Sequence, residues 1–181
     1  PSFDRLAPLR SFSPAERGLL HTALSRGINA PRTSSMGRLF DAVAALLDLR
    51  QLSAFEGQAA MALEFAAQSA ADEGAYPFQI RDDILDWEPM VRALIEDLDD
   101  GVDRPAIAAR FHGTLVSAAR QYALRLGVTR VVLSGGCFQN EYLTARLART
   151  LEADGVRVYT HQRIPPNDGG LCVGQAALAA E

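Results

Sequence analysis

Apolar residues recur along most of this chain with the 3.6-residue spacing of amphipathic helices, and short apolar runs between them are typical of strands. The spacing, together with glycine and capping residues, predicts helices at residues 14–26, 38–49, 54–72, 88–98, 103–126, 138–153 and 171–180. Strands are predicted at residues 76–80, 84–87, 130–133 and 156–159. The first two strands would form a hairpin around Asp82 and Asp83. The predicted fold class is therefore α/β and rich in helix.

Two helix starts carry the same capping signature. In Ser13-Pro14-Ala15-Glu16 and in Ser53-Ala54-Phe55-Glu56, a serine is followed three residues later by a glutamate. Such a pair satisfies the first backbone amides of a helix reciprocally. Capping by itself would explain Glu56, and a ligand role for it needs other support.

The stretch from Arg130 to Asn140 is the most informative part of the chain. A short apolar strand runs into Ser134, Gly135 and Gly136, and a helical pattern follows. Glycines let a backbone approach a ligand closely, and a helix N-terminus offers unpaired N–H groups to an anion. The order strand, helix, strand over residues 130–160 predicts two parallel neighbours. The stretch predicts a phosphate or nucleotide site, with a merely tight strand-to-helix connection as the alternative.

A second glycine turn, Asn167-Asp168-Gly169-Gly170, precedes the last helix. Both turns lie at the carboxyl ends of predicted strands, where open α/β sheets place ligands. Asp168 fits either a divalent-cation ligand or a helix N-cap. Asn140, near the start of its helix, fits either a contact with a base or ribose or a local hydrogen bond.

Three other side chains have a structural interpretation beside a chemical one. Asp41, about one turn into its helix, fits either a carboxylate that complements the dipole near a helix start or a chemical role. His112 lies beside the apolar stripe of the long helix, and we expect a packed or surface histidine. Cys137 lies near a predicted helix start, where the pKa of a thiol falls, but the sequence indicates no histidine partner for it.

Composition narrows the class of protein. The 181 residues are 48% hydrophobic and long enough for one globular domain, residues 1–181. A formal charge of −4 with no long basic run argues against nucleic-acid binding as the main function. We find no apolar stretch of membrane-spanning length, and two cysteines without metal-ligand spacing favour a reduced, cytoplasmic setting. Because the sequence does not begin with Met, we expect a processed piece or a fragment.

Four segments together resemble one protein family. They are TSSMGRLFDAVAALLDLR at 33–50, FEGQAAMALE at 55–64, VVLSGGCFQN at 131–140 and PPNDGGLCVGQA at 165–176. In this order they are similar to the C-terminal part of the HypF-type carbamoyltransferases of nickel-iron hydrogenase maturation. The resemblance covers nearly the whole chain. It implies the second lobe of a Kae1-like domain, in the sugar-kinase, Hsp70 and actin class with a ribonuclease H-like fold and helical insertions.

The resemblance also implies an activity. Such enzymes form carbamoyl-adenylate from carbamoyl phosphate and ATP and pass the carbamoyl group to the C-terminal cysteine of the partner protein HypE. ATP and a divalent metal (Mg, Fe or Zn) are the implied cofactors. The implied partners are carbamoyl phosphate, a HypE-like acceptor and the first lobe of the same domain.

Particular residues acquire roles through the same resemblance. Gly135, Gly136 and Asn140 match the turn that contacts the nucleotide. Ser134 and Gly169, which lie in the two glycine turns, are also expected to contact it. Gly37 and Asp41 match the segment that faces ribose and phosphates, and Glu56 is a weaker match. Asp168 matches an aspartate that helps to bind the metal.

Two departures from the family limit what this chain can do. The family has an earlier His-x-x-x-His pair that supplies further metal ligands, and this sequence has none. The acylphosphatase, zinc-finger-like and YrdC-like parts are also missing. We therefore expect about half of one active site, and an isolated chain that is inactive. The alternatives are a non-catalytic nucleotide- or protein-binding module, including a homodimer, and a related carbamoyltransferase acting on a small molecule or tRNA.

Overall fold

The computed structural model describes residues 3–71 and 74–180. The described chain groups into two compact units, one ending at Leu63 and the other beginning at Glu64. Each unit is described by itself below. That residues 1–181 form a single domain stays a prediction.

The first unit begins with helices whose ends follow local sequence rules. A short helix α1 (Ala7–Arg10) precedes α2 (Pro14–Arg26). The predicted capping box forms at α2, because the Ser13 hydroxyl accepts from the Glu16 N–H and the Glu16 carboxylate accepts from the Ser13 N–H at 2.8 Å. Gly27 ends α2 in the left-handed conformation, with φ 66°. The predicted bounds of this helix are confirmed.

Helix α3 (Met36–Leu46) is the apolar helix of the first unit. It begins two residues before the predicted start, because Ser35 caps it by accepting from the Arg38 N–H. It ends before the predicted residue 49, where the chain turns and Asp48 adopts φ 55°. Four residues of the predicted apolar stripe are buried, namely Leu39, Phe40, Val43 and Leu47, whereas the fifth, Leu46, is half-buried.

Helix α4 (Gln58–Gln68) is shorter than predicted. The predicted capping box at Ser53 and Glu56 is wrong, because these residues lie in turns before the helix. Gly57 adopts φ 80° immediately before the helix, and the Gln58 side chain accepts from the Ala54 N–H at 2.8 Å. The predicted end, residue 72, lies outside the described residues.

The second unit contains the predicted hairpin. Strand β1 (Gln79–Arg81) pairs antiparallel with β2 (Ile84–Asp86), with Ile80 opposite Leu85. Asp82 and Asp83 both have positive φ, 49° and 60°, as the tight two-residue turns of hairpins require. Both strands are shorter than predicted. Helix α5 (Glu88–Asp99) follows directly.

Helix α6 (Arg104–Leu126) forms the centre of the second unit, and Gly127 ends it with φ 62°. It packs against α5 and against α7 (Glu141–Ala153). Its first half is almost entirely buried, from Ala106 through Val116. The long helix predicted from the sequence is confirmed.

The strand–helix–strand prediction is also confirmed. Strand β3 (Arg130–Leu133) pairs in parallel with β4 (Arg157–Thr160), with Val131 opposite Val158, and α7 connects them. A 3-10 turn at Gly136–Gln139 comes before α7, so the α-helix begins at Glu141 and not at the predicted Phe138.

The last helix, α8 (Leu171–Ala179), is apolar in sequence, and none of its residues is buried. Within the described chain, no helix combines the length and hydrophobicity needed to cross a membrane. The α/β, helix-rich fold class is confirmed.

Candidate functional site

The two glycine turns that the sequence singled out lie against each other. The Gly135 N–H donates to the Pro166 carbonyl oxygen at 2.7 Å. A Cβ atom added to Gly136 would lie 4.0 Å from the Cβ of Asn167. The chain therefore brings together two segments that are about thirty positions apart in the sequence, at the carboxyl ends of β3 and β4.

The first turn presents backbone amides that no other described group uses. Gly135 adopts φ 105° and ψ 159°, a backbone conformation that residues with a side chain rarely adopt. The N–H groups of Gly136 and Cys137 donate to no residue that the structure describes. Gly136 is exposed, and a Cβ there would meet no atom closer than 4.0 Å. Neighbouring free amides of this kind form a concave site for a phosphate oxygen.

The N-terminus of α7 does not contribute to that anion site as expected. The Leu143 N–H donates to Asn140 Oδ1 at 2.8 Å, and the Tyr142 N–H donates to Glu64 Oε1 at 3.1 Å. Two of the first amides of α7 are thus satisfied from within the chain. The expectation of unpaired N–H groups at this helix start is wrong for these two residues, and the available donors lie in the 3-10 turn.

Asn140 is the N-cap of α7, and its side chain points into the protein. The residue is 7% exposed. Its Nδ2 donates to Nε2 of His112 at 3.0 Å, while Oδ1 accepts from Leu143. The local hydrogen bond predicted as one of two alternatives is confirmed, and contact of Asn140 with a nucleotide stays a prediction.

His112 is a packed histidine, as its position beside the apolar stripe predicted. The ring is fully buried on α6, and Nδ1 lies 2.8 Å from the Ala108 carbonyl oxygen. It meets the Tyr142 ring edge-on at a centroid distance of 5.2 Å. Burial lowers the pKa of His112 to about 4, with a smaller contribution from the positive charge of Arg146, so the ring is neutral near pH 7.

The second turn is held by a different residue from the one predicted. Asn167 Oδ1 accepts from the Gly169 N–H at 3.1 Å, so Asn167 and not Asp168 is the cap. A Cβ at Gly170 would lie 2.8 Å from Ile164 Cγ2 and 2.9 Å from the Pro165 carbonyl oxygen. A Cβ at Gly169 would also be crowded, at 3.1 Å from Asn167 Oδ1. Packing of the turn therefore explains both glycines without a ligand.

Asp168 is exposed beside this turn, and its carboxylate has no hydrogen bond or ion pair with any residue that the structure describes. It is thus available to a cation. The described residues contain no group of three or more histidine, cysteine, aspartate or glutamate side chains arranged to hold a metal. Asp168 would supply one ligand, and the other ligands would have to come from elsewhere.

Ser134 and His161 form a pair that the sequence analysis missed. Ser134 Oγ lies 3.0 Å from His161 Nε2, and both residues are exposed. Each follows the carboxyl end of a parallel strand, and that shared position was the available signal. His161 also lines a cavity of about 470 Å³ together with Phe138, Gln139, Thr144, Thr160 and Pro166.

Cys137 does not have the environment of a nucleophile. The side chain is half-buried, and burial raises the pKa of its thiol. The reasoning that a helix start lowers this pKa fails, because the residue lies in the 3-10 turn and not at the start of α7. Packing is the better interpretation of Cys137.

The remaining candidates lie in the first unit. The interpretation of Asp41 as a carboxylate in the first turn of its helix is wrong, because α3 begins at Met36 and has no acidic residue in its first turn. Asp41 instead pairs with Arg38 at 2.7 Å between Oδ2 and Nη2. Both line a cavity of about 690 Å³, whose other polar residues are Arg50, Gln51, Ser53 and Glu56. At Gly37 a Cβ would meet only Ser35 Oγ, at 3.6 Å, so packing does not require glycine there.

Comparison with known proteins places nearly the whole chain in one family. A family model described as carbamoyltransferase, Kae1-like domain, second subdomain matches residues 3–175. The carbamoyltransferase HypF of Synechocystis sp. is 35% identical over 96% of this chain, and that of Rhodobacter capsulatus is 40% identical over 94%.

A solved structure agrees with this placement. The crystal structure of full-length HypF in the phosphate- and nucleotide-bound form has a TM-score of 0.87 and 40% identity over 95% of this chain. The chain spans about a quarter of the length of these relatives, 23% and 24% of the two sequences and 24% of the solved structure. The chain belongs to the HypF carbamoyltransferase family, in which it corresponds to the second subdomain of the Kae1-like domain.

Proposed function

We propose that this chain supplies part of the ATP site of a HypF-like carbamoyltransferase. The whole enzyme would form carbamoyl-adenylate from carbamoyl phosphate and ATP, then transfer the carbamoyl group to the C-terminal cysteine of a HypE-like acceptor. The observation that carries the proposal is the hydrogen bond from the Gly135 N–H to the Pro166 carbonyl, which joins the two glycine turns at 2.7 Å. The similar HypF whose structure holds phosphate and nucleotide supports it.

The chemistry of the described residues fits a phosphate group better than a reacting carbonyl. The Gly136 and Cys137 amides are neutral dipoles, fixed before a ligand arrives, and such dipoles stabilise anionic oxygens without reorganisation. Neither Cys137, whose thiol pKa is raised, nor the buried His112 is placed to attack a substrate. Binding and orienting the nucleotide is therefore the role proposed for the second unit.

A divalent metal would neutralise charge on the nucleotide phosphates when bound. Asp168 would hold it from this chain, and its exposed, unpaired carboxylate fits that role. Because the described residues contain no cluster of metal ligands, the first lobe of the domain would complete the site. Gly37 and Asp41 would face ribose and phosphates, by their match to the family.

Turnover needs more than this chain. A carbamoyl-adenylate must be shielded from water, and one lobe cannot enclose it. We expect the isolated chain to bind nucleotide weakly and to lack activity. The apolar α8 has exposed Leu171 (63%), Val173 (45%) and Leu178 (75%), an apolar surface that fits contact with the first lobe.

The test is calorimetric titration of the chain with a non-hydrolysable ATP analogue and Mg²⁺. Wild type should bind saturably, and Gly136→Ala should bind about tenfold more weakly, because a Cβ obstructs the approach to the free amides. Gly18→Ala in α2 is the matched control, since a Cβ there meets no atom within 4 Å and the helix lines neither cavity.

Three outcomes would be informative. Equal binding by Gly136→Ala and wild type would contradict the glycine-turn site. Binding that appears only after the first lobe is added would support a shared site. If no nucleotide binds with or without that lobe, the alternative of a non-catalytic protein-binding module or homodimer is favoured.

A further inference from the structure

The 3-10 turn that offers the free amides is connected to α6 through one side chain. Asn140 closes the turn with its own N–H, which donates to the Cys137 carbonyl at 3.2 Å. Its side chain then makes one bond to Leu143, at the start of α7, and one to His112, on α6. Movement of the Asn140 side chain would therefore displace the turn and the helix start together.

The hydrogen-bonding capacity of His112 determines which way the Asn140 amide faces. Nδ1 lies 2.8 Å from the Ala108 carbonyl, which can only accept, so Nδ1 carries the proton. In the neutral ring Nε2 is then an acceptor and selects the NH₂ end of Asn140. The opposite orientation would set oxygen against the Nε2 lone pair and NH₂ against the Leu143 N–H.

The ring itself has little freedom to move. It is fully buried and meets Phe111 edge-on at 5.5 Å and Tyr142 at 5.2 Å. Tyr142 is fixed in turn by its N–H bond to Glu64 and by Arg146, whose guanidinium lies 5.1 Å from the Tyr142 ring centre. Groups from α4, α6 and α7 thus hold this network in place.

We propose that His112 is a positioning residue for the nucleotide site. By accepting from Asn140 it sets the Asn140 side chain, which sets the 3-10 turn and so the direction of the Gly136 and Cys137 amides. This inference rests on the proposed nucleotide-binding function. It assigns to a fully buried residue control over the affinity of a surface turn.

The test distinguishes the effect of losing the Nε2 hydrogen-bond acceptor from the effect of changing the volume of the side chain. His112→Leu keeps a similar volume without an acceptor, and His112→Gln can present an amide oxygen to Asn140. Amide hydrogen exchange at Leu143 reports the cap, and titration with the ATP analogue reports the site. We expect His112→Leu to raise the exchange rate and weaken binding, each by about tenfold, and His112→Gln to remain within about threefold of wild type.

A control distinguishes positioning from general loss of stability. Leu147→Ala, on the buried face of α7, should destabilise the fold without removing a hydrogen bond of the network. We expect it to leave analogue affinity near the wild-type value. If His112→Leu does not fold, His112→Phe provides the same comparison with an aromatic ring.

The two measurements distinguish failure of the positioning role from failure of the proposed nucleotide-binding function. If Leu143 exchange and the Gly136 amide NMR signal are unchanged in His112→Leu, or if His112→Gln is as impaired as His112→Leu, the positioning role is overturned. If these structural signals change as expected but wild type binds no nucleotide even with the first lobe, the positioning of the turn stands and the proposed function fails.

Discussion

Gly113, in the middle of α6, is the position where a single methyl group should have the largest effect on this fold. A Cβ built there would lie 2.0 Å from the Gly74 carbonyl oxygen and 3.1 Å from its carbonyl carbon. Both atoms belong to the backbone, so no flexible side chain can move away. Gly113→Ala therefore has to separate α6 from the segment at 74–75.

Two opposing terms determine the size of the effect. Alanine is favoured over glycine within a helix by about 1 kcal/mol. Against this, the contact must widen by about 1 Å to reach the 3.0 Å below which real Cβ contacts are essentially never found. The shift would also strain the bond of 2.8 Å from the Tyr76 N–H to Thr114 Oγ1. Overpacking costs about 1–3 kcal/mol, and a clash of 2.0 Å with a backbone atom belongs in the upper part of that range, about 2–3 kcal/mol. After the helix-propensity gain is subtracted, we expect a net loss of about 1–2 kcal/mol.

Urea unfolding monitored by circular dichroism would measure this difference. Gly18→Ala provides the comparison, because Gly18 is also inside a helix and a Cβ there has open space. It should gain about 0.5–1 kcal/mol from helix propensity alone. The reasoning is refuted if Gly113→Ala is as stable as wild type or more stable, since the close backbone contact would then not exist.

Two further predictions concern the site. His112 has its pKa lowered from 6.5 to about 4, so the unfolded chain binds an extra proton between these values, and stability should fall by about 3 kcal/mol as pH drops from 7 to 4. Unfolding experiments across this range should show a smaller loss in His112→Gln, and an equal loss would contradict a neutral buried ring. Gly135→Ala should cost about 1–3 kcal/mol because of its φ of 105°, whereas Gly136→Ala should be nearly neutral in thermal unfolding. Equal melting temperatures for the two variants would count against this backbone conformation.

The comparison of two capping boxes shows where sequence rules succeed and fail. Ser13 to Glu16 and Ser53 to Glu56 have the same spacing, but only the first forms a box. In the first, Pro14 occupies the first helical position, where its fixed φ favours a helix. In the second, Gly57 follows the glutamate with φ 80°, which no helix continues through. The glycine outweighs the cap, and a rule that considers only four residues does not include it.

The sequence predicted well those helix ends and turns that are determined by the residues immediately beside them in the chain. The end of α6 at Gly127 and the hairpin turn at Asp82 and Asp83 use backbone conformations that these residue types adopt readily. The parallel pairing of β3 and β4 followed from the order of elements. The strand-end position of both glycine turns followed from the same order.

The hydrogen bonds of the site were not predictable in this way, because they join residues that are distant in the sequence. His112 and Asn140 are 28 positions apart, and Glu64 and Tyr142 are 78 apart. Each of these residues has an ordinary local interpretation. Only the folded structure of the second unit, which begins at Glu64, shows that they form one network around the start of α7.

That network changes the physical basis of the proposed anion site. The sequence favoured a helix N-terminus as the source of positive potential, yet Asn140 and Glu64 already accept from two of the first amides of α7. The buried Glu64, as a carboxylate, would add a negative charge close to that helix end, which weakens its attraction for a phosphate. Affinity would then depend on the Gly136 and Cys137 amides, whose direction is set by the backbone conformation of the turn. The affinity of such a site depends more on the position of these backbone amides than on nearby charges. For that reason a buried histidine on another helix can control it.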